Sequence, residues 1–195
     1  MSSAGQPIRN VSDTALWTAV YRARESERSD PLFYDPYARR LAGERGMRIA
    51  DAIPFAQRNE WSFTARTYLF DQLITQEIHQ GADLVLNLAA GLDTRPYRMA
   101  LPARLQWIEV DLPEILDYKE EILGSEAPVC QLVRMRLDLA DGAARRALFQ
   151  RLAEHAQRVL ILTEGLLIYF TPEQVGVLAR DLAAPAAFQR WILDL

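Results

Sequence analysis

Five short apolar runs in the second half of the chain limit its fold more than any other feature. The runs are DLVLNLAA, RLQWIEVD, APVCQLVRMRLDL, RVLILTEGLLIYF and RWILDL, and segments of about 13–20 residues separate them. Nearly continuous apolar runs are typical of strands covered on both faces, and such segments can hold the helices of right-handed crossovers. The best-marked helix begins at TPEQ, where Thr171 and Gln174 can form a capping box. The sequence therefore predicts an α/β fold with a doubly wound parallel sheet.

Helical periodicity, in contrast, marks the first eighty residues. Ser12 or Asp13 can cap a first helix. Asp35 followed by Pro36 can start a short second helix, because proline at the first helical position gives up only a donor that has no partner there. The apolar face predicted for the first helix consists of Ala15, Leu16, Ala19, Val20 and Ala23.

A third helix is predicted from about Arg58 to His79, with Gly81 as its stop. Its predicted buried face consists of Trp61, Ala65, Tyr68 or Leu69, and Leu73. The change of periodicity after this helix suggests two units, a helical unit over residues 1–80 and an α/β unit over residues 81–195.

Charge, hydropathy and cysteine content exclude several classes of protein. The 195-residue chain has a net charge of −4 and no long basic run, so nucleic acid is not expected as a partner. No apolar run reaches the ~20 residues of a membrane span, and the N-terminus lacks the apolar stretch of a secretory signal. The single cysteine, Cys130, is expected to be a buried thiol. A cytoplasmic protein without membrane contact is predicted.

Hydrolytic and metal-dependent chemistry find no support in the sequence. It contains no Ser-His-Asp order, no HExxH motif and no cluster of cysteine and histidine. His79 and His155 are predicted on helix surfaces, away from the strand ends. No metal site is therefore predicted.

Small and acidic residues follow the first three predicted strands. Gly91 lies in the first turn, where a missing side chain lets a ligand approach the backbone, and Glu109 and Asp111 share a face at the end of the second strand. An acid about twenty residues after a glycine turn can bind the hydroxyls of a ribose. Asp138 and Leu139 could hold the amino group and ring of an adenine. The alternatives are an ordinary tight turn, a solvated strand end and a helix cap.

Glu164 interrupts the apolar run of the fourth strand. A carboxylate in such a place needs a partner to offset its loss of hydration. A bound cation is one such partner and an internal arginine or lysine is another, and the sequence leaves both open.

Six segments occur in the order SDPLFYDPYARRLAG, ARTYLFDQ, NLAAGLDTRPYR, IEVDLPEILDYK, RLDL and LTEGLLIYF. Together they resemble the leucine carboxyl methyltransferase-like family of class I S-adenosylmethionine (SAM) methyltransferases, which includes bacterial and polyketide O-methyltransferases. The resemblance implies a Rossmann-like fold, with residues 1–80 as a helical lid over a SAM-binding domain at residues 81–195.

The resemblance also implies a cofactor, SAM, and the residues that hold it. The turn at Gly91 would cradle the methionyl part, and Asp111 would bind the ribose. Asp138 and Leu139 would take the adenine. Two further residues would contact the methionyl group. Arg66 would pair with the carboxylate of SAM, and Glu164 would lie beside the amine and the sulfonium of SAM.

The implied reaction is O-methylation of a carboxylate or hydroxyl on a small-molecule, polyketide-like or peptide acceptor. Methyl transfer from a sulfonium depends on alignment and exclusion of water, so no catalytic residue is obligatory, and Glu164 is the one candidate. The lack of an obvious base favours a carboxylate, which is already ionised at pH 7. The alternatives are a non-catalytic SAM-binding domain and a nicotinamide-dependent oxidoreductase, although the latter would require a fuller glycine pattern.

Two features depart from the family pattern. Ala89 stands where the family's turn has its first glycine, which predicts a loss of backbone freedom. The family fold continues beyond its fifth strand, whereas this sequence stops at WILDL, so the C-terminal strands are expected to be lacking. A strand from Arg190 to Leu195 would then be an edge, and self-association through it is predicted.

Overall fold

A computed structural model describes residues 11–52 and 60–194. Three sequence predictions fall partly outside this range or concern a side chain that is not described: the cap at Ser12, the start of the third helix at Arg58, and the end of the last strand at Leu195. The remaining predictions can be compared with the structure.

A five-stranded parallel sheet forms the centre of the described molecule, with the strand order β3-β2-β1-β4-β5. The strands are β1 (Leu84–Leu88), β2 (Gln106–Asp111), β3 (Gln131–Arg136), β4 (Val159–Thr163) and β5 (Phe188–Leu193). The chain runs outward from β1 to β3 and then returns to the other side of β1, so strand order reverses between β1 and β4. This arrangement confirms the predicted doubly wound α/β fold.

Seven α-helices and a 3₁₀ turn surround the sheet in the described residues. They are α1 (Val11–Ser26), α2 (Ala38–Ala52, kinked at Gly43), α3 (Glu60–His79), α4 (Arg95–Arg98), α5 (Pro113–Leu123), α6 (Gly142–Ala153), the 3₁₀ turn (Leu167–Tyr169) and α7 (Pro172–Ala183). The crossover between β1 and β2 therefore contains only one short helical turn. The predicted capping box at the start of α7 is confirmed, because Thr171 and Gln174 exchange side-chain to backbone hydrogen bonds.

The two faces of the sheet pack against different helices. Leu84, Leu86 and Leu88 of β1 point toward α6 and α7, where they join the largest apolar cluster. Val85 points to the opposite side, where it shares a second apolar cluster with Phe70 and Ile74 of α3. α5 lies on that side too, because its Lys119 bonds to Glu109, which shares a face of β2 with Trp107 of the same cluster. Successive side chains of a strand alternate in this way, so one strand contributes to both layers.

The expectation of strands covered on both faces is wrong for β3, which is one edge of the sheet; β5 is the other edge, as predicted. β1, β2 and β4 are buried along nearly their whole length, whereas β3 and β5 alternate between exposed and half-buried positions. Val133 in β3 and Leu193 in β5 are exposed. An apolar run therefore identified each strand, but it did not distinguish central strands from edge strands.

The predicted buried face of α3 is also wrong. Trp61, Leu69 and Leu73 are 70%, 56% and 43% exposed. The buried side chains of α3 are Thr64, Thr67, Phe70, Asp71 and Ile74. The apolar pattern failed here because the buried face of α3 includes polar side chains, of which Asp71 is paired with arginine.

Of the two acids predicted at helix starts, only Asp35 caps one. Asp13 lies inside α1 rather than at its N-cap, and both of its carboxylate oxygens accept hydrogen bonds from Arg45 at 2.7 Å. Asp35 lies just before α2, which begins at Ala38, and one of its oxygens accepts a hydrogen bond from the Tyr37 N–H at 3.1 Å, as a capping carboxylate does.

The N-terminal helices pack directly on the α/β unit. Leu16, Val20 and Leu41 of α1 and α2 share an apolar cluster with Ile115 and Leu116 of α5. The division of the chain at residue 80 stays a prediction, because this shared cluster joins the two parts. Elsewhere, Cys130 is buried as expected, and His79 and His155 are exposed.

Candidate functional site

A cavity of about 280 Å³ lies at the carboxyl ends of β1, β2 and β4. Its walls come from α1, α3, the β1–α4 turn, the β2–α5 turn and the loop after β4. In an open parallel sheet, ligands bind beyond the carboxyl ends of the strands, where strand order reverses. The cavity occupies that position, and α1 and α3 cover it.

The β1–α4 turn forms one wall of the cavity and runs close under α1. Gly91 has φ +50°, and a Cβ placed on it would lie 3.4 Å from the Cβ of Ala15. Ala89 has φ +55° and is the single non-glycine residue with positive φ in the described chain. The left-handed region costs an L-residue roughly 1–2 kcal/mol, so the predicted loss of backbone freedom at Ala89 is confirmed.

Asp111 joins this turn to the next one. Its carboxylate accepts hydrogen bonds from the N–H groups of Gly91, at 2.6 Å, and Leu112, at 2.7 Å. Burial raises the pKa of Asp111, and the two N–H groups offset that rise only in part. The carboxylate lines the cavity and keeps further lone pairs for a ligand hydroxyl.

Glu109 lies on the same face of β2 but does not line the cavity. It is fully buried, and its oxygens accept from Lys119 Nζ at 2.7 Å and Arg134 Nε at 2.9 Å. Lys119 is itself fully buried, so removal of either partner would leave an uncompensated charge. Glu109 therefore fixes α5 and β3 against β2.

Glu164 has the internal arginine partners that the sequence left as one alternative. Its carboxylate lies 3.0 Å from Arg66 Nε and 2.8 Å from Arg95 Nη1. Burial alone would raise the pKa of Glu164, but the charges of Arg95 and Arg66 more than offset this effect and lower it. An ionised carboxylate consequently faces the cavity at the end of β4.

A network of buried charges holds these groups in place. Arg95 lies 2.6 Å from an oxygen of Asp71 and 3.0 Å from an oxygen of Asp93, and Arg98 makes two bonds to Asp71. Burial would raise the pKa of Asp93, but Arg95, Lys119 and the Arg95 N–H lower it to about 2. The network connects α3 to the β1–α4 turn.

A second set of contacts connects α1 to the same turn. Arg22 donates to an oxygen of Asp35 at 2.9 Å and to the carbonyl of Leu92 at 2.6 Å. Thr94 donates to the same Asp35 oxygen at 2.6 Å. Asp35, predicted to start a helix, thus attaches α1 to the wall of the cavity.

Sequence reasoning missed most of this charged network. Asp93 accepts a hydrogen bond from the Arg95 N–H at 2.8 Å, and its ion pair with the Arg95 side chain was not predicted. Two features of the sequence could have indicated the network. Asp71 is an acid among apolar residues of α3, and two arginines three residues apart follow the glycine turn.

The structure brings four of the six predicted site residues together. Arg66, Gly91, Asp111 and Glu164 all line the cavity. Asp138 and Leu139 do not: Asp138 is exposed and accepts from the Ala140 N–H, while Leu139 is buried in the apolar cluster under α6 and α7. The predicted adenine contact of this pair stays a prediction.

Aromatic residues form the wall that α1 and α3 contribute. The rings of Trp17, Tyr21 and Phe63 pack with centroids 5.1–5.7 Å apart and line the cavity. Near its mouth, the Tyr169 hydroxyl donates to Thr14 Oγ1 at 2.9 Å, which connects the 3₁₀ turn to α1. The cavity therefore combines an apolar wall with ionised groups on the sheet side.

Two kinds of feature are absent from residues 11–52 and 60–194. No group of three or more histidine, cysteine or acidic side chains there is placed to hold a metal ion. None of the helices in those segments combines the length and the apolar character needed to cross a membrane.

Comparison with known proteins identifies relatives along most of the chain. A protein of Mycobacterium tuberculosis, whose name proposes a SAM-dependent methyltransferase, is 36% identical over 177 residues, which are 82% of this chain and 57% of that protein. A protein of Frankia alni, named in the same way, is 33% identical over 201 residues, or 94% of this chain and 71% of that protein. The chain thus spans little more than half the length of its mycobacterial relatives.

A solved structure of an O-methyltransferase family protein from Burkholderia thailandensis is 17% identical, with a TM-score of 0.44, and the match covers 93% of this chain and 51% of that one. The family model for leucine carboxyl methyltransferase matches residues 15–183, a range that includes every residue lining the cavity except Thr14. This match, together with the identity to the mycobacterial and Frankia proteins, shows that the chain belongs to the leucine carboxyl methyltransferase family.

Proposed function

We propose that the protein binds SAM in this cavity and transfers its methyl group to an oxygen atom of an acceptor. One observation carries the proposal: the left-handed turn at Gly91, the acid at the end of β2 and the ionised Glu164 converge on one cavity where strand order reverses. Membership of the family and the names of the relatives agree with this function.

The residues of the cavity fit the chemical groups of SAM. Asp111 would accept hydrogen bonds from the ribose hydroxyls, and the narrow turn at Gly91 would leave room beside the methionyl chain. Glu164, kept ionised by two arginines, offers negative charge for an ammonium or a sulfonium. Arg66 offers positive charge for a carboxylate.

When bound, SAM supplies an electrophilic methyl group on a sulfonium. The protein's contribution is alignment and exclusion of water, which can account for about 7–11 kcal/mol of a barrier. α1 and α3 would exclude water by closing the cavity with Trp17, Tyr21 and Phe63. The ion pairs of Glu164 and Arg95 fix the wall against which the methionyl group would lie.

The acceptor is proposed to be a carboxylate or hydroxyl of a small molecule or peptide. Among the carboxylates that line the cavity in the described chain, arginine charges lower the pKa values of Asp93 and Glu164, which makes these two groups poor proton acceptors, and Asp111 already accepts two N–H hydrogen bonds. A carboxylate acceptor needs no proton removed at pH 7, so we favour it over a hydroxyl. We further propose a cytoplasmic location, with neither nucleic acid nor membrane as a partner.

Calorimetry with S-adenosylhomocysteine (SAH) tests the proposed site. Asp111→Ala should weaken SAH binding by roughly 1.5–3 kcal/mol for each ribose hydrogen bond lost. Asp117→Ala, at an exposed ion pair with Arg136, is the matched control because Asp117 does not line the cavity. Asp138→Ala tests the adenine contact separately and should weaken SAH binding if Asp138 holds the adenine. Unchanged affinity in Asp111→Ala would remove Asp111 from the site.

Turnover is tested with SAM that carries a radiolabelled methyl group, in the presence of aliphatic and aromatic carboxylates and phenols. Label in an ester or ether product supports O-methylation. Tight binding of SAH without label in any product would instead support a non-catalytic SAM-binding protein.

We also propose self-association through β5. This strand has one hydrogen-bonded neighbour in the described sheet, β4; its Trp191 and Ile192 are half-buried and its Leu193 is exposed. Exposed strand edges with apolar side chains pair readily with a second chain. Light scattering should show dimers or larger species that Ile192→Lys disperses; a monodisperse monomer would contradict the proposal.

A further inference from the structure

Arg66 is the most accessible of the arginines that line the cavity. Its side chain is 22% exposed, compared with 12% for Arg22 and 3% for Arg95. Arg22 is occupied by Asp35 and a backbone carbonyl, and Arg95 is enclosed by three acids. A ligand carboxylate that enters the cavity would therefore meet Arg66 first.

Asp194, which directly follows β5, already holds Arg66. One of its carboxylate oxygens lies 2.7 Å from Arg66 Nη1, and the other accepts the Gly165 N–H at 2.7 Å. A guanidinium and a backbone N–H are also the donors that would hold the carboxylate of a free amino acid. Asp194 itself does not line the cavity, although Arg66 and Gly165 both do.

The local charge is unfavourable for a further anion. Glu164 and Asp194 both pair with Arg66, so a ligand carboxylate would be the third negative group on one guanidinium. Like charges within about 4–6 Å disfavour each other. Binding of an amino-acid carboxylate is therefore expected to require that Asp194 release Arg66.

We propose that Asp194 is a specificity-determining residue that competes with the ligand's amino-acid carboxylate for Arg66. The side chain of Asp194 supplies internally the carboxylate that the ligand would otherwise supply. The protein consequently discriminates less between ligands with and without an amino-acid carboxylate than a cavity with a free arginine would. This inference rests on the proposed binding of SAM.

The test compares two ligands in the wild type and in Asp194→Asn by calorimetry. SAH carries the amino-acid carboxylate, whereas 5′-methylthioadenosine shares its adenosine and sulfur but lacks the amino-acid group. Asp194→Asn should tighten SAH binding about tenfold and leave 5′-methylthioadenosine unchanged, because only SAH competes with the carboxylate. Asp117→Asn, at an exposed ion pair with Arg136, controls for the change in net charge.

The possible outcomes separate the competing interpretations. Weaker SAH binding in Asp194→Asn would overturn the proposal and show that Asp194 positions Arg66 for the ligand. An equal change for both ligands, or no change, would overturn it as well. A wild type that binds neither ligand would refute the proposed function itself, and the inference with it. Because asparagine matches the shape of aspartate, melting curves should show that the variant folds.

Discussion

The two faces of the sheet are both well buried, yet different forces hold them. On the side of α6 and α7, leucine, isoleucine and phenylalanine fill the interior, and the buried ion pair Arg145–Asp181 connects the two helices. On the side of α3 and α5, an apolar cluster lies beside buried charges that include Asp71, Arg95 and Lys119. Burial of ions costs hydration, and an apolar replacement is often as stable. The charges therefore fix the geometry of the cavity wall, with no greater gain in stability than apolar side chains would give.

The largest effect on the charged side of the sheet is expected at Asp71, the acid that pairs with two buried arginines. Asp71→Ala removes the two short bonds of Arg98 and one of the three acids that surround the buried Arg95. We expect a loss of about 3–5 kcal/mol in the free energy of unfolding, measured with urea, together with loss of SAH binding. Asp117→Ala, at an exposed pair, should lose less than about 1 kcal/mol.

On the apolar side of the sheet, shortening a buried side chain should reduce the free energy of unfolding without changing the affinity for SAH. Leu178 in α7 is fully buried in the cluster under α6 and α7 and lies away from the cavity. Leu178→Ala should lower the free energy of unfolding by about 2–5 kcal/mol. At a temperature where the variant is folded, its affinity for SAH should equal that of the wild type. A weaker affinity would show that the two faces are coupled.

Lowering the pH should destabilise the side of the sheet that carries the buried charges before it destabilises the apolar side. The pKa of Asp93 is lowered to about 2 from 3.8, so its stabilising contribution is complete above pH 3.8 and is lost as the pH falls toward 2. The shift corresponds to about 2 kcal/mol. Urea unfolding between pH 6 and pH 2.5 should show a smaller pH dependence for Asp93→Asn than for the wild type. Asp30→Asn, in an exposed ion pair, should retain the wild-type slope.

The smallest predicted effect is that of a substitution at Ala89, in the β1–α4 turn. Ala89→Gly removes the strain of a left-handed alanine but makes the unfolded chain more flexible, so we expect a net gain below about 1 kcal/mol. Ala147→Gly, at an exposed position inside α6, should instead lose about 0.5–1 kcal/mol. Equal losses in the two variants, measured by thermal unfolding, would show that Ala89 is not strained.

Much of the fold could be predicted because hydrophobic periodicity reports the side chains that leave water. The five strands and the capped start of α7 were found from local patterns alone. The buried face of α3 was not, because Asp71 is buried together with its ion-pair partners Arg95 and Arg98 rather than by its own hydrophobicity. A linear pattern of hydropathy contains no information about which distant charge a buried acid will meet.

The candidate site was predictable to the extent that topology alone fixes it. Gly91, Asp111 and Glu164 follow strands, and the carboxyl ends of parallel strands share one edge of the sheet, so their convergence follows from the fold. The pairing of Arg66 with Asp194 was not predictable, because it joins α3 to the chain after β5. Likewise, only the structure shows that Leu139 is directed into the apolar core.

The burial of Cys130 has a practical consequence for measuring movement of the cavity mouth. Burial, with a smaller effect of the Glu109 charge, raises the pKa of this thiol to about 11, so it should react slowly with alkylating dyes at neutral pH. The sequence contains no other cysteine. A fluorophore introduced through Ile168→Cys, at a position that is 68% exposed on the rim, would therefore label a single site and report when α1 and the 3₁₀ turn separate.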